Sequence, residues 1–222
     1  MSSGKPPENT LTIVHPEIEA YLQQHAPVPH PVLEEMEQIG QQRNFPIVGP
    51  LVGRLLAVLV RFGHVHTILE CGSGFGYSAM WMALALPENG RMICIEYNEE
   101  NIALAKEFFE KANLVHKVSF MAGNALDLID TFSQTFDLIV NDVEKPQYPR
   151  LLPKMLRRLR VGGMLISDNV LWSGRVVKEA KDESTRAIQE FNRMLIEDPA
   201  LFTSFIPLRD GLSLSIKLRT GG

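Results

Sequence analysis

Five short apolar runs cross the middle of this chain, at 67–71, 92–95, 118–121, 136–140 and 164–167. Helix-like stretches separate them, over 77–86, 98–112, 124–131 and 147–160. Strand–helix alternation at this spacing builds a parallel sheet with helices on both faces. Two further runs, 202–207 and 212–218, follow a helical stretch at 184–196 and are joined by Arg209-Asp210-Gly211. Asp-Gly between apolar runs is a hairpin signal, so the last two of the seven strands are expected to be antiparallel. Ahead of the first strand, segments near 15–24, 30–43 and 48–62 carry apolar residues at three-to-four spacing, broken by Pro27, Pro29, Pro31 and Pro46. The expected organisation is one α/β domain over 15–222. Residues 15–62 form a helical cover, 63–222 form the core, and 1–14 form a polar, disordered tail.

A chain of 222 residues can bury one good core. Its net charge of −4 lacks the basic footprint usual in nucleic-acid binders, although a local patch can hide in such a total. Cys71 and Cys94 sit inside apolar runs and read as reduced, buried thiols, which fits a cytoplasmic protein. The N-terminus lacks the apolar stretch of a signal peptide, and no run approaches the ~20 apolar residues of a membrane span.

Ligands of open α/β sheets bind beyond the carboxyl ends of the strands. After the first strand comes Gly72-x-Gly74-x-Gly76, a loop that lets the backbone approach a ligand closely. A dinucleotide fingerprint wants a small residue where Tyr77 stands. Glu96 ends the second strand, where a carboxylate can accept from ribose hydroxyls. Loop and carboxylate together indicate a nucleoside cofactor, either S-adenosylmethionine or NAD. The bland reading is an ordinary turn and a surface carboxylate at a helix start. Asp142 ends the fourth strand, and Asp168-Asn169 ends the fifth. Two carboxylates and an amide carbonyl make an all-oxygen site suited to Mg²⁺ or Mn²⁺, but the same residues also suit a cap and a turn. His64 and His66 have no third metal ligand nearby in sequence. Lys145, three residues past Asp142, could serve as general base toward a hydroxyl or be a solvated surface lysine.

The runs ILECGSGFGYSA, CIEYNEE, GNAL, NDVEKPQY, SDNVLWSGRV and PLRDGLSLS resemble the cation-dependent O-methyltransferases, which include the catechol and caffeoyl-CoA enzymes. The resemblance covers roughly residues 30 to 220. It implies a Rossmann-like class I methyltransferase fold and in-line methyl transfer from S-adenosylmethionine to a hydroxyl of a catechol-like or caffeoyl-like acceptor. By resemblance, Glu70, Gly72, Gly74 and Ser78 line the methionine end of the cofactor, and Val48 closes over it. Glu96 and Tyr97 lie at the ribose, and Asn124 and Ala125 border the adenine. Asp142, Asp168 and Asn169 would bind Mg²⁺, Mn²⁺ or Ca²⁺. Lys145 would be the base beside the metal-bound and cofactor-facing Asp142. Tyr148 and Trp172 are candidates to flank the acceptor, with simple packing as the alternative for each. The family also suggests a homodimer.

The sequence departs from the family pattern in three places. Val143-Glu144 stands between Asp142 and Lys145, Asn124 replaces an aspartate, and Ser213 stands where catechol O-methyltransferase has a substrate-holding glutamate. The runs at 96–99 and 145–148 also match relatives that methylate hydroxyuridine in tRNA. Arg150, Lys154, Arg157, Arg158 and Arg160 could meet phosphates in such a role or form a solvated face. A nucleoside-binding module without transfer activity is a further alternative, which the joint presence of Asp142, Lys145, Asp168 and Asn169 argues against.

Overall fold

The computed structural model describes residues 11–219. Three helices come first: α1 (Pro16–Gln24), α2 (Pro31–Gln42) and α3 (Gly49–Phe62). The alternating core follows as β1 (Thr67–Cys71), α4 (Tyr77–Ala85), β2 (Arg91–Glu96), α5 (Glu99–Lys111), β3 (Val118–Ala122), α6 (Ala125–Leu128), β4 (Phe136–Asn141), α7 (Tyr148–Arg158) and β5 (Leu159–Ser167). It closes with α8 (Glu183–Glu197), β6 (Leu201–Ile206) and β7 (Leu212–Lys217). The sheet order is β3-β2-β1-β4-β5-β7-β6. The first five strands are parallel, and β7 runs antiparallel to both β5 and β6. This is the mixed sheet and terminal hairpin expected from the sequence.

Both sheet faces are buried because residues alternate along each strand. Ile68, Cys94, Leu138, Val140 and Ile166 face the core built with α2, α3, α4 and α5. Leu69, Cys71, Ile95, Ile139 and Leu165 face the core built with α6, α7 and α8. Cys71 and Cys94 are free and buried, as read, and burial pushes the Cys71 thiol up to about 12. Helices α1 and α2 each begin at a proline, whose missing N–H costs nothing at that position. The preceding His15 and His30 accept the backbone N–H groups of Glu17 and Val32. Among the described residues, no helix is long and apolar enough to cross a membrane.

The structure corrects some boundaries. β5 begins at Leu159, five residues ahead of the apolar run at 164–167. Arg160, Gly162 and Gly163 hide this start, because they interrupt the apolar pattern around Val161 where the pairing with β4 shifts register. The helix expected over 124–131 is one turn of α6 followed by a tighter turn at Ile129–Thr131. Residues 1–10 of the expected tail lie outside the described residues. Leu11 to Val14, placed in that tail by sequence, instead line the central cavity, and the Leu11 N–H donates to the Ser173 carbonyl.

Helices α3 and α4 approach through Gly53, where an added Cβ would lie 2.4 Å from the Trp81 indole. Trp81 is almost fully buried and has nowhere to retreat. Alanine normally gains ~1 kcal/mol over glycine inside a helix. Here Gly53→Ala is expected to destabilise by about 1–3 kcal/mol through overpacking. Chemical denaturation followed by tryptophan fluorescence checks this, and a stabilised variant would refute the close contact.

Candidate active site

The chain lays down β1, β2 and β3 outward, then returns to place β4 on the other side of β1. That reversal opens a crevice past the carboxyl ends of β1 and β4. Its floor is backbone. The Asp142 N–H donates to the Cys71 carbonyl at 2.9 Å. A Cβ on Gly72 would lie 2.4 Å from the Asp142 carbonyl oxygen, and Gly72 has φ +85°. Glycine is therefore required by space and by backbone conformation. The crevice holds a cavity of about 1090 Å³, room for a nucleoside with a small second ligand beside it.

Gly72, Gly74, Ser78, Glu96, Tyr97, Asn124 and Ala125 line one part of this cavity, and Val48 at the start of α3 reaches it from the helical cover. Glu96 is nearly buried. One of its oxygens accepts the Gly74 N–H at 2.9 Å and the other the Asn98 N–H at 3.0 Å. Each oxygen keeps a further lone pair for a ligand hydroxyl. Asn124 caps α6 by accepting the Leu126 N–H at 2.8 Å. Tyr97 is largely exposed at the rim. Glu70 lies behind the wall rather than in it. The Ser78 hydroxyl donates to it at 2.5 Å, so its charge reaches the cavity through Ser78. Burial raises the Glu70 carboxyl to about 7, against the pull of the bonds from Ser78 and Cys94.

Asp142, Lys145, Asp168, Asn169 and Trp172 line the other part. Lys145 Nζ donates to Asp142 Oδ1 at 2.8 Å, to the Val143 carbonyl at 3.2 Å and to the Tyr148 hydroxyl at 3.2 Å. Burial lifts Asp168 to about 7, helped by the neighbouring negative Asp142. Burial also raises Asp142, and Lys145 offsets part of that rise. Desolvated acids of like charge favour a proton or a cation. Asp168 Oδ1 accepts the Asn169 backbone N–H at 2.8 Å, and the Asn169 Nδ2 donates to Asp210 Oδ2 at 3.2 Å. The Asn169 carbonyl oxygen is thereby left available. Among the described residues, no group of three His, Cys, Asp or Glu side chains is placed to hold a metal. The protein donors for a cation would be Asp142, Asp168 and the Asn169 carbonyl, a hard oxygen set that fits Mg²⁺ or Mn²⁺ completed by water.

Tyr148 is a correction. It is fully buried, packed edge-on against Phe191 with ring centroids 5.0 Å apart, and is absent from the cavity lining. Its hydroxyl bonds to the Asp168 carbonyl at 3.0 Å, so it supports Lys145 and the β5 end instead of flanking an acceptor. The cause is its place on the apolar stripe of α7, shared with Leu151, Leu152 and Met155. Trp172 does line the cavity, with Lys145 Nζ 5.8 Å and the Arg175 guanidinium 4.2 Å from its ring. Ser213 is fully buried on β7 opposite Ser167, outside the cavity lining, so it does not stand in for a substrate-holding carboxylate.

Sequence reasoning missed Asp210, Arg209, Phe45, Ile47 and the 11–14 segment, all of which line the cavity. Asp210-Gly211 was fully explained as turn chemistry, which masked a second task for the carboxylate. The basic residues of α7 and Arg160 of β5 lie largely at the opposite edge of the sheet, and Arg150 of α7 is exposed. Lys154 and Arg157 pair with Asp130, Arg158 donates to the Ile129 and Asp130 carbonyls, and Arg160 pairs with Asp137 near the start of β4.

The model of a family described as O-methyltransferase matches residues 23–218. The chain belongs to the O-methyltransferase family. Among curated relatives, a catechol O-methyltransferase of Niastella koreensis is 34% identical, the match covering 76% of this chain and 81% of the relative. Caffeoyl-CoA O-methyltransferase 2 of Eucalyptus globulus is 32% identical over 73% of this chain and 71% of its own. Among solved structures, the O-methyltransferase of Bacillus cereus in complex with SAH aligns with a TM-score of 0.83 at 27% identity, covering 90% of this chain and 97% of that one. TomG of Streptomyces achromogenes, an O-methyltransferase of tomaymycin synthesis solved with SAM, aligns at 0.85 and 26% identity, covering 91% and 96%.

The raised Glu70 acid makes this O-methyltransferase's stability depend on pH. Below about 4.5 the carboxyl is protonated in both folded and unfolded chains. Between about 4.5 and 7 the folded chain alone keeps the proton, so stability falls as pH rises through this window. The loss is on the order of 3 kcal/mol. Glu70→Gln is expected to flatten the drop in urea midpoint between about pH 5 and pH 8. Parallel profiles for wild type and variant would show that the folded state does not hold this proton.

Proposed function

We propose that the chain transfers a methyl group from S-adenosylmethionine to a hydroxyl of a small aromatic acceptor, in a reaction that needs a divalent cation at Asp142, Asp168 and Asn169. One observation carries this reading: Lys145 and Asp142 meet where the glycine loop after β1 abuts the end of β4. When bound, S-adenosylmethionine supplies an electrophilic sulfonium methyl, and the cation supplies Lewis acidity that favours the ionised acceptor hydroxyl.

The protein's own residues do the rest. Glu96 accepts ribose hydroxyls with the lone pairs left by Gly74 and Asn98. Gly72, Gly74 and Ser78 hold the methionine end, with Glu70 acting through Ser78 and Val48 closing from the cover. Asn124 and Ala125 border the adenine, and Tyr97 stands at the rim. Lys145 first gives a proton of its ammonium to solvent and then takes the acceptor proton onto the freed Nζ lone pair; the Val143 carbonyl and the Tyr148 hydroxyl aim the nitrogen. The oxygen–carbon bond then forms as the carbon–sulfur bond breaks, and the proton leaves from Lys145 to solvent. Much of the rate comes from holding oxygen and methyl about 3 Å apart, and a dry site favours the loss of charge in transfer. Trp172 offers a flat wall to an aromatic acceptor. The pairing of Lys154 and Arg157 of α7 with Asp130, and of Arg160 of β5 with Asp137, favours that acceptor over tRNA. The exposed Ile18, Tyr21 and Leu22 of α1, with Val58 and Phe62 of α3, support a homodimer. The two unpaired thiols support a cytoplasmic setting.

Labelled methyl transfer to catechols, caffeoyl esters and bulk tRNA, each with Mg²⁺ or EDTA, tests this reading. Transfer to a small aromatic, lost in EDTA, is expected; transfer indifferent to EDTA removes the cation. Lys145→Ala should lower kcat by roughly 10²–10⁴-fold while cofactor affinity stays within about threefold. Cation affinity should weaken as pH falls below about 7, where Asp168 takes up a proton in competition. A flat binding profile from about pH 5 to pH 8 would separate Asp168 from the cation.

A further inference from the structure

The segment after β5 has an unusual backbone. Asn169, Trp172 and Ser173 all have positive φ, at 57°, 46° and 52°. Side-chain-bearing residues resist this region and hold it only when neighbours impose it. The tip of the β6–β7 hairpin does so. The Gly211 carbonyl accepts the Val170 N–H at 3.1 Å and the Asp210 carbonyl the Leu171 N–H at 3.0 Å. Asp210 Oδ1 accepts the Ser173 N–H, and its Oδ2 accepts Asn169 Nδ2 at 3.2 Å.

The last bond has a directional consequence. A carboxylate accepts hydrogen bonds and an amide presents one donor edge and one acceptor edge. The edge of Asn169 that faces Asp210 must therefore be the NH₂, which turns the carbonyl oxygen the other way. Asn169, Asp210, Asp142 and Asp168 share one cavity wall. We propose that Asp210 is a positioning residue: its carboxylate locks the Asn169 amide so that the carbonyl oxygen, not the nitrogen, is offered to a divalent cation beside Asp142 and Asp168. The assignment rests on the cation reading above and adds to it the group that orients one ligand. The same carboxylate holds Ser173, so it also fixes Trp172 relative to that ligand.

Asp210→Asn tests the idea with little change of shape. The new amide still offers an oxygen to the Ser173 N–H, and its NH₂ then faces Asn169. Asn169 must turn its carbonyl toward residue 210 and its nitrogen toward the cation. Loss of a negative charge would also weaken cation binding, so the variant is made in two backgrounds. Mn²⁺ alone is titrated, with free ion followed by electron paramagnetic resonance, into wild type, Asp210→Asn, Asn169→Ala and the double variant. Asp210→Asn is expected to weaken Mn²⁺ binding at least about tenfold in wild type, or ~1.4 kcal/mol, and less than about threefold in the Asn169→Ala background. Equal losses in both backgrounds would overturn the positioning role and leave the cation site standing. No Mn²⁺ binding by wild type, or binding that Asp168→Ala does not weaken, would overturn the cation reading itself and this role with it. A readout that alters neither residue 210 nor the cation is the Asn169 side-chain amide resonance, assigned by its loss in Asn169→Ala. Slow solvent exchange is expected, and exchange as fast as that of a surface asparagine would overturn the proposal.

Discussion

The contact between Gly72 and the Asp142 backbone is the joint on which the site is built. A parallel sheet separates two strand ends only when the chain reverses its order of addition, and here it does so between β1 and β4. Both ends are then free of crossing connections. The ladder bond from the Asp142 N–H to the Cys71 carbonyl carries the pairing one residue past the strands. The absent Cβ of Gly72 lets the two loops touch. A glycine loop that can approach a nucleoside is thereby held against the loop bearing Asp142 and Lys145. Neither loop could do two-ligand chemistry alone.

Electrostatics gives that joint a direction. Glu70 and Asp168 are carboxyls buried at one sheet edge and Asp142 is a partly exposed one beside them, each raised chiefly by loss of water. Lys145 compensates Asp142 in part and is itself steadied by Tyr148. The fold therefore gathers desolvated acids beside the cavity, an arrangement that favours a proton or other positive charge there, at a cost to its own stability. The other charged groups are arranged differently. Asp130 and Asp137, toward the opposite edge, are supplied with Lys154, Arg157 and Arg160, and those pairs stabilise surface loops.

Much of this was legible in the residues because it is local. The apolar runs of β1 to β4, the glycine loop and the acidic strand ends are properties of short stretches, and the motif order from Gly72 to Asn169 was specific enough to indicate the family. The errors were also local in origin. Tyr148 looked available beside Lys145, but the stripe of α7 turns it into the core. The start of β5 was hidden because a register shift separates Leu159 from Met164 in the pairing with β4, and Gly162 and Gly163 between them carry no apolar pattern. Asp210 seemed exhausted by its turn.

The sequence by itself determined the strand–helix rhythm, the hairpin and the set of polar residues delivered to the carboxyl edge, because periodicity and turn chemistry act over a few residues. Tertiary structure alone decided which of those residues share a wall. Asn169 and Asp210 are 41 positions apart and meet only because β7 inserts between β5 and β6. Glu70 is drawn behind Ser78 by the packing of α4 on β1. Leu11 reaches Ser173 across the cavity mouth. Such placements follow from strand order and burial, which are set by the whole chain at once and leave no trace in any short window.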